Sequence, residues 1–473
     1  MAPIRPAFGS KWTSSSGANL AGKTQARFIT LKTSKTILAG LLACTLIGSA
    51  SAQQTVLHVT GSTAYRAAVL VAISNILQPG YAVAYVASAP EAYSKANMVL
   101  FSGTTTSGLN VQIKTAFFGS IGGVCNVAGG LTIGPGGSAF NDGQTIGWLS
   151  STGNETAPAS VSGNVVSGGL NIPAGSAQFD PPAVADVTLS DSFQKSAPLK
   201  FQTPALTGEI VGVVPFVWVA CPGNKATAGT KPSNITDAEI KLLLKGKLKL
   251  SKLSGNLSDT EHVYPVGRDQ DSGTRIASLA DSKYGITTIV KQYQPLFNGA
   301  SAPANPPPTP PPAPVQVTGA GPWPAVSPVD TIKSPIGDSG YNSGGGVAGA
   351  VAVLSANPDW FIAYVGLNDA KTALTGANPN FTLSFNGTGL TNEGGVFSDL
   401  SPVEDGKYTF WGYEHFLYLP SLTGDQLSVA QVIETEILTS TAPVSGVLVA
   451  DMTVHRNSDG GAIENGGNPP NKP

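Results

Sequence analysis

A short β-branched run, a glycine turn and an apolar helix-like stretch follow one another twice early in this chain, and that order points to an α/β architecture. Leu57-His58-Val59-Thr60 is a candidate strand, Gly61-Ser62-Thr63 the turn after it, and residues 64–77 a helix that is apolar almost all round. A helix with no polar face has to be buried against a sheet. The pattern returns with the alternating strand 111–117, the turn Gly119-Ser120-Ile121-Gly122-Gly123 and an apolar continuation to Val127. Strands alternating with helices call for parallel pairing with helices laid across the sheet.

The strongest chemical signal is Val266-Gly267-Arg268-Asp269-Gln270-Asp271-Ser272-Gly273-Thr274-Arg275. Here an arginine precedes a Ser-Gly-Thr turn that opens the helix-like run Arg275-Ile276-Ala277-Ser278-Leu279-Ala280. The free N–H groups of a helix start and the hydroxyls of Ser272 and Thr274 can donate to one oxyanion. Gly273 lets the backbone approach closely, and Arg268 adds a planar charged fork.

This segment resembles the Arg-x-x-x-Ser-Gly-Thr element of the phosphate-binding proteins that serve ABC importers. Other stretches are similar to that family in the same order. Val59-Thr60-Gly61-Ser62-Thr63-Ala64 resembles its first anion loop and Gly119-Ser120-Ile121-Gly122-Gly123-Val124 its second. Val187-Thr188-Leu189-Ser190-Asp191 resembles its Ser-Asp element, whose aspartate faces the bound anion. Asn234-Ile235-Thr236-Asp237-Ala238-Glu239-Ile240 with Leu244-Lys245-Gly246-Lys247, and Ile362-Ala363-Tyr364-Val365, look like family segments away from the ligand. Each element alone has a plainer reading as a cap, a turn or a surface charge; their order gives the set its weight.

The resemblance implies a two-lobed α/β fold of the type 2 periplasmic-binding-protein kind, with mixed sheets flanked by helices and a ligand cleft between the lobes. It implies inorganic phosphate held by Ser62, Thr63, Ser120, Gly122, Asp191, Arg268, Ser272, Gly273 and Thr274. It also implies an ABC permease as the membrane partner. We expect a monomer with no cofactor and no metal, doing no chemistry on its ligand.

Asp191 is the unusual member, because an ionised carboxylate repels an anion unless the ligand brings a proton. A protonated phosphate oxygen can donate to it, whereas fully ionised sulfate cannot. The alternative is a cap on the following turn through Ser192 or Phe193. One position departs from the family, which carries an aspartate two residues after the arginine where this chain has Gln270. A neutral amide cannot form the same charge-assisted pair. Sulfate, molybdate or tungstate therefore stay open as ligands, as does a secreted surface protein that has kept the fold.

Charged residues make up 12% of the 473, about half the ~25% usual for soluble domains, while 56 glycines and 36 prolines are present. That composition suits a loop-rich exported protein, and the formal net charge of -2 offers no basic face for nucleic acid. Lys23, Arg27, Lys32 and Lys35 precede the apolar run 36–48 and the small residues Ala50-Ser51-Ala52. This reads as a signal peptide over 1–52, cleaved before Gln53, for a periplasmic or extracellular protein. Leu41-Leu42-Ala43 before Cys44 leaves lipid attachment as the alternative. Beyond the leader, Cys125 and Cys221 read as small buried hydrophobes, with one disulfide the other reading.

Residues 53–215 and 366–455 are assigned to the first lobe, with a Gly/Ser-rich, β-rich or irregular insertion at 129–178. Residues 216–365 form the second, with a Pro-rich insertion at 300–316 that is extended and cannot join a core. The β-branched stretch 209–220 suits a central strand leading from one lobe to the other. Thr236 is a candidate cap for a helix over 237–244, residues 344–356 and 428–438 read as later helices, and 360–365 as a returning strand. The polar tail 456–473 is expected to be unstructured.

Gly337-Asp338-Ser339-Gly340 superficially matches a serine-protease loop, but His58 and His262 stand in no suitable context before it, and an α/β chain is the wrong frame. Asp269-Gln270-Asp271 falls short of a calcium loop because Gly273 occupies the next ligand position. His58, His262, His415 and His455 are dispersed and read as structural.

Overall fold

The computed structural model describes residues 54–87, 93–130, 147–222, 231–293, 340–353, 360–374 and 380–466. The leader through Ala52 with Cys44, residues 131–146 of the Gly/Ser-rich stretch, the Pro-rich run, Gly337-Asp338-Ser339 and residues 467–473 lie outside the described residues.

The first unit is β1 (Thr55–Gly61) followed by α1 (Arg66–Asn75). Val69, Leu70, Val71 and Ile73 of α1 are all fully buried, each contributing about 1.5–3 kcal/mol over exposure. An antiparallel pair that the sequence did not announce comes next, β2 (Ala82–Val86) and β3 (Met98–Thr104). Then β4 (Asn110–Phe117) runs antiparallel to β3 and parallel to β1, and leads into α2 (Ser120–Gly129). In the described part of the Gly/Ser-rich stretch, β5 (Ala157–Ser162), β6 (Val165–Gly168) and β7 (Leu170–Asn171) extend the sheet beyond β2.

After β8 (Val187–Ser190) comes β9 (Thr207–Cys221), a 15-residue strand rich in Val, Phe and Trp. Then follow β10 (Asn234–Ile235), α3 (Asp237–Leu244), α4 (Leu250–Ser254), β11 (Val263–Val266) and α5 (Gly273–Asp281). Thr236 does cap α3: its hydroxyl accepts from the Glu239 N–H while the Glu239 carboxylate reaches back to the Thr236 N–H. The remainder is α6 (Gly344–Val353), β12 (Trp360–Gly366), α7 (Leu367–Leu374), β13 (Phe381–Phe385), α8 (Ser401–Glu404), β14 (Trp411–Tyr418) and α9 (Gly424–Glu436). A small hairpin, β15 (Val454–His455) with β16 (Glu464–Asn465), closes the described chain.

The result is a mixed α/β fold in which helices flank one large mixed sheet, of 14 strands among the described residues, in the order β10-β13-β9-β14-β8-β1-β4-β3-β2-β5-β6; β12 also pairs β9, β11 pairs β12 and β7 pairs β2. β9 joins two neighbourhoods. Its residues 207–215 pair with β14, while 216–221 pair with β12 and, in part, β13. β13 belongs to the stretch 366–455 assigned above to the first lobe, yet it lies beside the far half of β9. Residues from 53 onward group as one compact unit.

One expectation meets a different outcome. Residues 456–466 of the expected tail are structured, because Arg456 is buried: it bonds to Asp281 at 2.8 Å and to the Thr409 carbonyl, and stacks 3.9 Å over the Trp411 ring. Cys125 and Cys221 are both buried and not joined by a disulfide, in keeping with their reading as small buried hydrophobes, so the disulfide alternative falls away.

Candidate functional site

β1 lies between β4 and β8 and is parallel to both, with Gly61 opposite Phe117 on one side and Leu189 on the other. The carboxyl ends of neighbouring strands thus open at one place, and the turns leaving them carry Ser62-Thr63, Gly119-Ser120 and Asp191. Loops at the carboxyl ends of parallel strands are where α/β sheets hold ligands. Here they are laced through the main chain: the Ser62 N–H donates to the Leu189 carbonyl and the Gly119 N–H to that of Gly61, both at 2.9 Å. Gly61 has φ +111°, and a β-carbon there would lie 2.0 Å from the Leu189 oxygen, so only glycine permits this crossing.

The turn after β11 reaches the same place. Ser272 caps α5, its hydroxyl accepting from the Arg275 N–H at 3.2 Å. The N–H groups of Gly273 and Thr274 find no acceptor among the described residues, at the positive end of the helix. Asp191 gathers these elements. Its carboxylate accepts from Ser120 Oγ at 2.5 Å and from Thr274 Oγ1 at 3.2 Å. Burial pushes its pKa up, opposed by the Ser120 hydrogen bond, the Arg268 charge and the Thr274 hydroxyl. Asp191 is therefore not a local cap for Ser192 or Phe193; the Phe193 N–H is taken by Asp459 instead.

Arg268 is 2% exposed. Its Nε donates to the Tyr341 carbonyl at 3.1 Å, and its Nη2 to the Asn342 carbonyl at 3.0 Å and to Thr63 Oγ1 at 3.2 Å. Every one of these acceptors is neutral. Among the described residues no carboxylate forms an ion pair with Arg268, and its Nη1 has no hydrogen-bond partner. Asp191 and Asp369 counter the charge at longer range; burial raises both carboxyl pKa values and Arg268 pulls each partly back. Gln270 is buried nearby, but none of the guanidinium's hydrogen bonds goes to it.

One expected donor points elsewhere. The N–H groups of Ile121 and Gly122 donate to the Asp271 carbonyl at 2.9 and 3.3 Å, so the start of α2 docks on the 268–274 turn. A buried carbonyl needs such donors. Ser120 instead reaches the site through its hydroxyl.

Of the residues singled out from sequence, Ser120, Asp191, Gly273 and Thr274 meet directly, Thr63 meets Arg268, and the Arg268 charge acts on Asp191 at longer range. Ser62 adjoins them, buried, with its hydroxyl lacking a hydrogen-bond partner. Ser272 serves the helix cap, and Gly122 faces Asp271. Sequence reasoning missed Tyr341 and Asn342, which act through carbonyls and carry no side-chain signal. It missed Glu414, which no local motif marks. Tyr364, whose hydroxyl accepts from the Arg268 N–H at 3.1 Å and donates to Gln292 Oε1 at 2.7 Å, lay within a segment read only as structural.

Histidine chemistry is absent from this place. His415 lies buried edge-on against Phe193, and burial lowers its pKa to about 3, so it stays neutral. Among the described residues no cluster of His, Cys, Asp or Glu could hold a metal ion, and no helix is long and apolar enough to cross a membrane.

No family model matches the chain, and no curated protein matches it. Solved structures similar to it include a proposed phosphate ABC transporter substrate-binding protein with bound phosphate from Clostridium perfringens, at 11% identity over 82% of this chain and 98% of that one, TM-score 0.41. An ABC-type phosphate transport receptor from Vibrio cholerae is 10% identical over 83% and 96%, TM-score 0.37. A possible phosphate binding protein from Planctomyces limnophilus is 12% identical over 81% and 98%, TM-score 0.32. At these identities and scores the likeness says nothing of the ligand, which has to be argued from the residues.

Proposed function

We propose that this chain captures an inorganic oxyanion, phosphate first among them, at the carboxyl ends of β1, β4 and β8, and delivers it for import or sensing. The observation that carries this reading is Arg268: a buried guanidinium whose hydrogen bonds all go to neutral oxygens and whose Nη1 has no partner among the described residues. A buried charge with no carboxylate in contact is costly, and a bound anion removes that cost. The uncommitted N–H groups of Gly273 and Thr274 and the Ser62 hydroxyl add neutral donors around it. Asp191 supplies an acceptor for a ligand that carries a proton, which favours hydrogen phosphate over sulfate.

On this reading the protein is exported after loss of residues 1–52 and works as a monomer with an ABC-type permease. The far half of β9, with β11, β12 and β13, forms the second lobe, and the anion sits between the two. The protein performs no reaction on its ligand.

The test is a panel of phosphate, sulfate, molybdate and tungstate, read by melting temperature and by calorimetric titration. A ligand that binds the native state alone raises its stability by mass action. Selective stabilisation by phosphate is expected; a flat response to every anion would discard the reading.

A further inference from the structure

Asp191 is not the only carboxyl in this site. β14 runs antiparallel to β8 with His415 opposite Ser190, and Glu414 and Asp191 are the next residues beyond that pair, close enough for the Asp191 charge to act on Glu414. Two glycines on the same strand faces show what surrounds Glu414. A β-carbon on Gly412 would lie 2.4 Å from the Asp191 carbonyl, and one on Gly212, paired with Glu414 from β9, would lie 1.8 Å from the Tyr65 hydroxyl. Glu414 therefore lies between the Asp191 strand end and the start of α1, where Ser62 precedes Tyr65. It is completely buried, as is Ser62, and Asp191 is 1% exposed. Neither Glu414 oxygen, nor the Ser62 hydroxyl, makes a well-formed hydrogen bond to a described residue.

Two carboxylates this close in a buried place cannot both be ionised without a large cost, so one holds a proton. Asp191 has two hydroxyl donors and the Arg268 charge to stabilise its anion. Glu414 has no such support. We propose that Glu414 is a neutral carboxylic acid on the floor of the anion site and a positioning residue for Ser62. Its O–H is directed at Ser62 Oγ, which leaves the serine's own hydrogen to donate to the bound anion. This rests on the oxyanion reading above.

The proton inventory around it agrees. Burial, and then the charge of Asp191, raise the Glu414 pKa well above the usual carboxylate range, and only the neighbouring Ser62 hydroxyl opposes them. Tyr65 faces it from the start of α1 and stays a phenol, its pKa raised by burial and by Glu414. β9 presents Gly212, and Arg268 acts on Asp191. Ionising Glu414 would capture the Ser62 hydrogen and add a negative charge against the anion, so affinity should fall as pH rises through its titration.

Two measurements on the full chain test this. Infrared difference spectra near neutral pH, wild type minus Glu414→Gln and Asp191→Asn minus the Asp191→Asn/Glu414→Gln double variant, should each show one protonated carboxylic C=O band, because Asp459 and Asp281 are common to both members of each pair and cancel. Phosphate titrations should show Glu414→Ala weakened about tenfold and Glu414→Gln recovering most of that loss, since its amide can donate to Ser62. The ratio of Glu414→Gln to wild-type affinity, in which the titration of phosphate itself cancels, should grow with pH. A band missing from either difference spectrum overturns the proposal, and so does a pH-independent ratio. If no variant binds phosphate, the oxyanion reading fails, and the infrared band still decides whether Glu414 carries the proton.

Discussion

Asp191 Oδ1 stands 1.6 Å from where a β-carbon on Gly273 would be. Gly273 is the first residue of α5 and has no positive φ, so alanine suits its backbone; the Asp191 carboxylate and, at 2.7 Å, Ser192 Oγ forbid it. The carboxylate cannot swing aside freely, because Ser120 and Thr274 hold it.

Gly273→Ala should therefore push Asp191 off Ser120 while α5 stays intact. A hydrogen bond to a charged group contributes about 1.5–3 kcal/mol, so phosphate affinity should drop about tenfold or more with an unchanged circular dichroism spectrum. Unaltered affinity would mean that Asp191 takes no part in holding the ligand.

Arg268→Ala should weaken phosphate binding at least about tenfold, since it removes the buried guanidinium that bonds Thr63 in the site. Arg268→Lys should recover little. The Tyr341, Asn342 and Thr63 oxygens are arranged around a planar fork that an ammonium cannot copy. Titration of both variants, with melting curves to confirm folding, decides; wild-type affinity in either would place the anion elsewhere.

Asp191→Asn should change discrimination more than affinity. The amide can donate as well as accept, so an anion without a proton no longer meets an uncompensated negative charge. The phosphate-to-sulfate preference should collapse through a gain in sulfate binding, measured calorimetrically with both anions near neutral pH. An unchanged preference would reduce Asp191 to holding Ser120 and Thr274 in place.

Stability should depend on pH through the Arg456 region. Asp459 accepts from the Ser196 hydroxyl at 2.5 Å and the Phe193 N–H at 3.1 Å, and burial raises its pKa to about 7; the same cause raises Asp281 to about 6. In the folded state these groups hold protons that the unfolded chain has already released. Their contribution is thus fully present below the ordinary carboxylate range and is lost as pH rises through about 6 and 7. Asp459→Asn cannot ionise, so its melting temperature should gain on the wild type as pH is raised across that window. A constant difference would show that Asp459 is ionised throughout.

How much of this was legible beforehand depended on whether the information was local. The strand, glycine turn and helix at 57–77 are visible because β-branching, a positive-φ glycine and apolar continuity act over neighbouring residues, and the same holds for the Thr236 cap on α3. β2 and β3 escaped notice although β2 pairs with β3 and β3 with β4, all neighbours in sequence, because a short apolar run does not by its period separate a strand from a buried helix. The tail at 456–466 looked unstructured from its polar composition; the Trp411 ring and Asp281 that hold Arg456 lie far away in sequence.

The site divides in the same way. The chain order by itself determined which loops carry hydroxyls, glycines and Arg268, because each is a short signal at the end of a strand or the start of a helix. Tertiary structure alone decided that Arg268 is held by the Tyr341 and Asn342 carbonyls, that the Gly122 N–H is taken by Asp271, and that Glu414 lies near Asp191. Those relations arise from strand register and from the burial of charge, both set by pairings between residues that no local pattern connects.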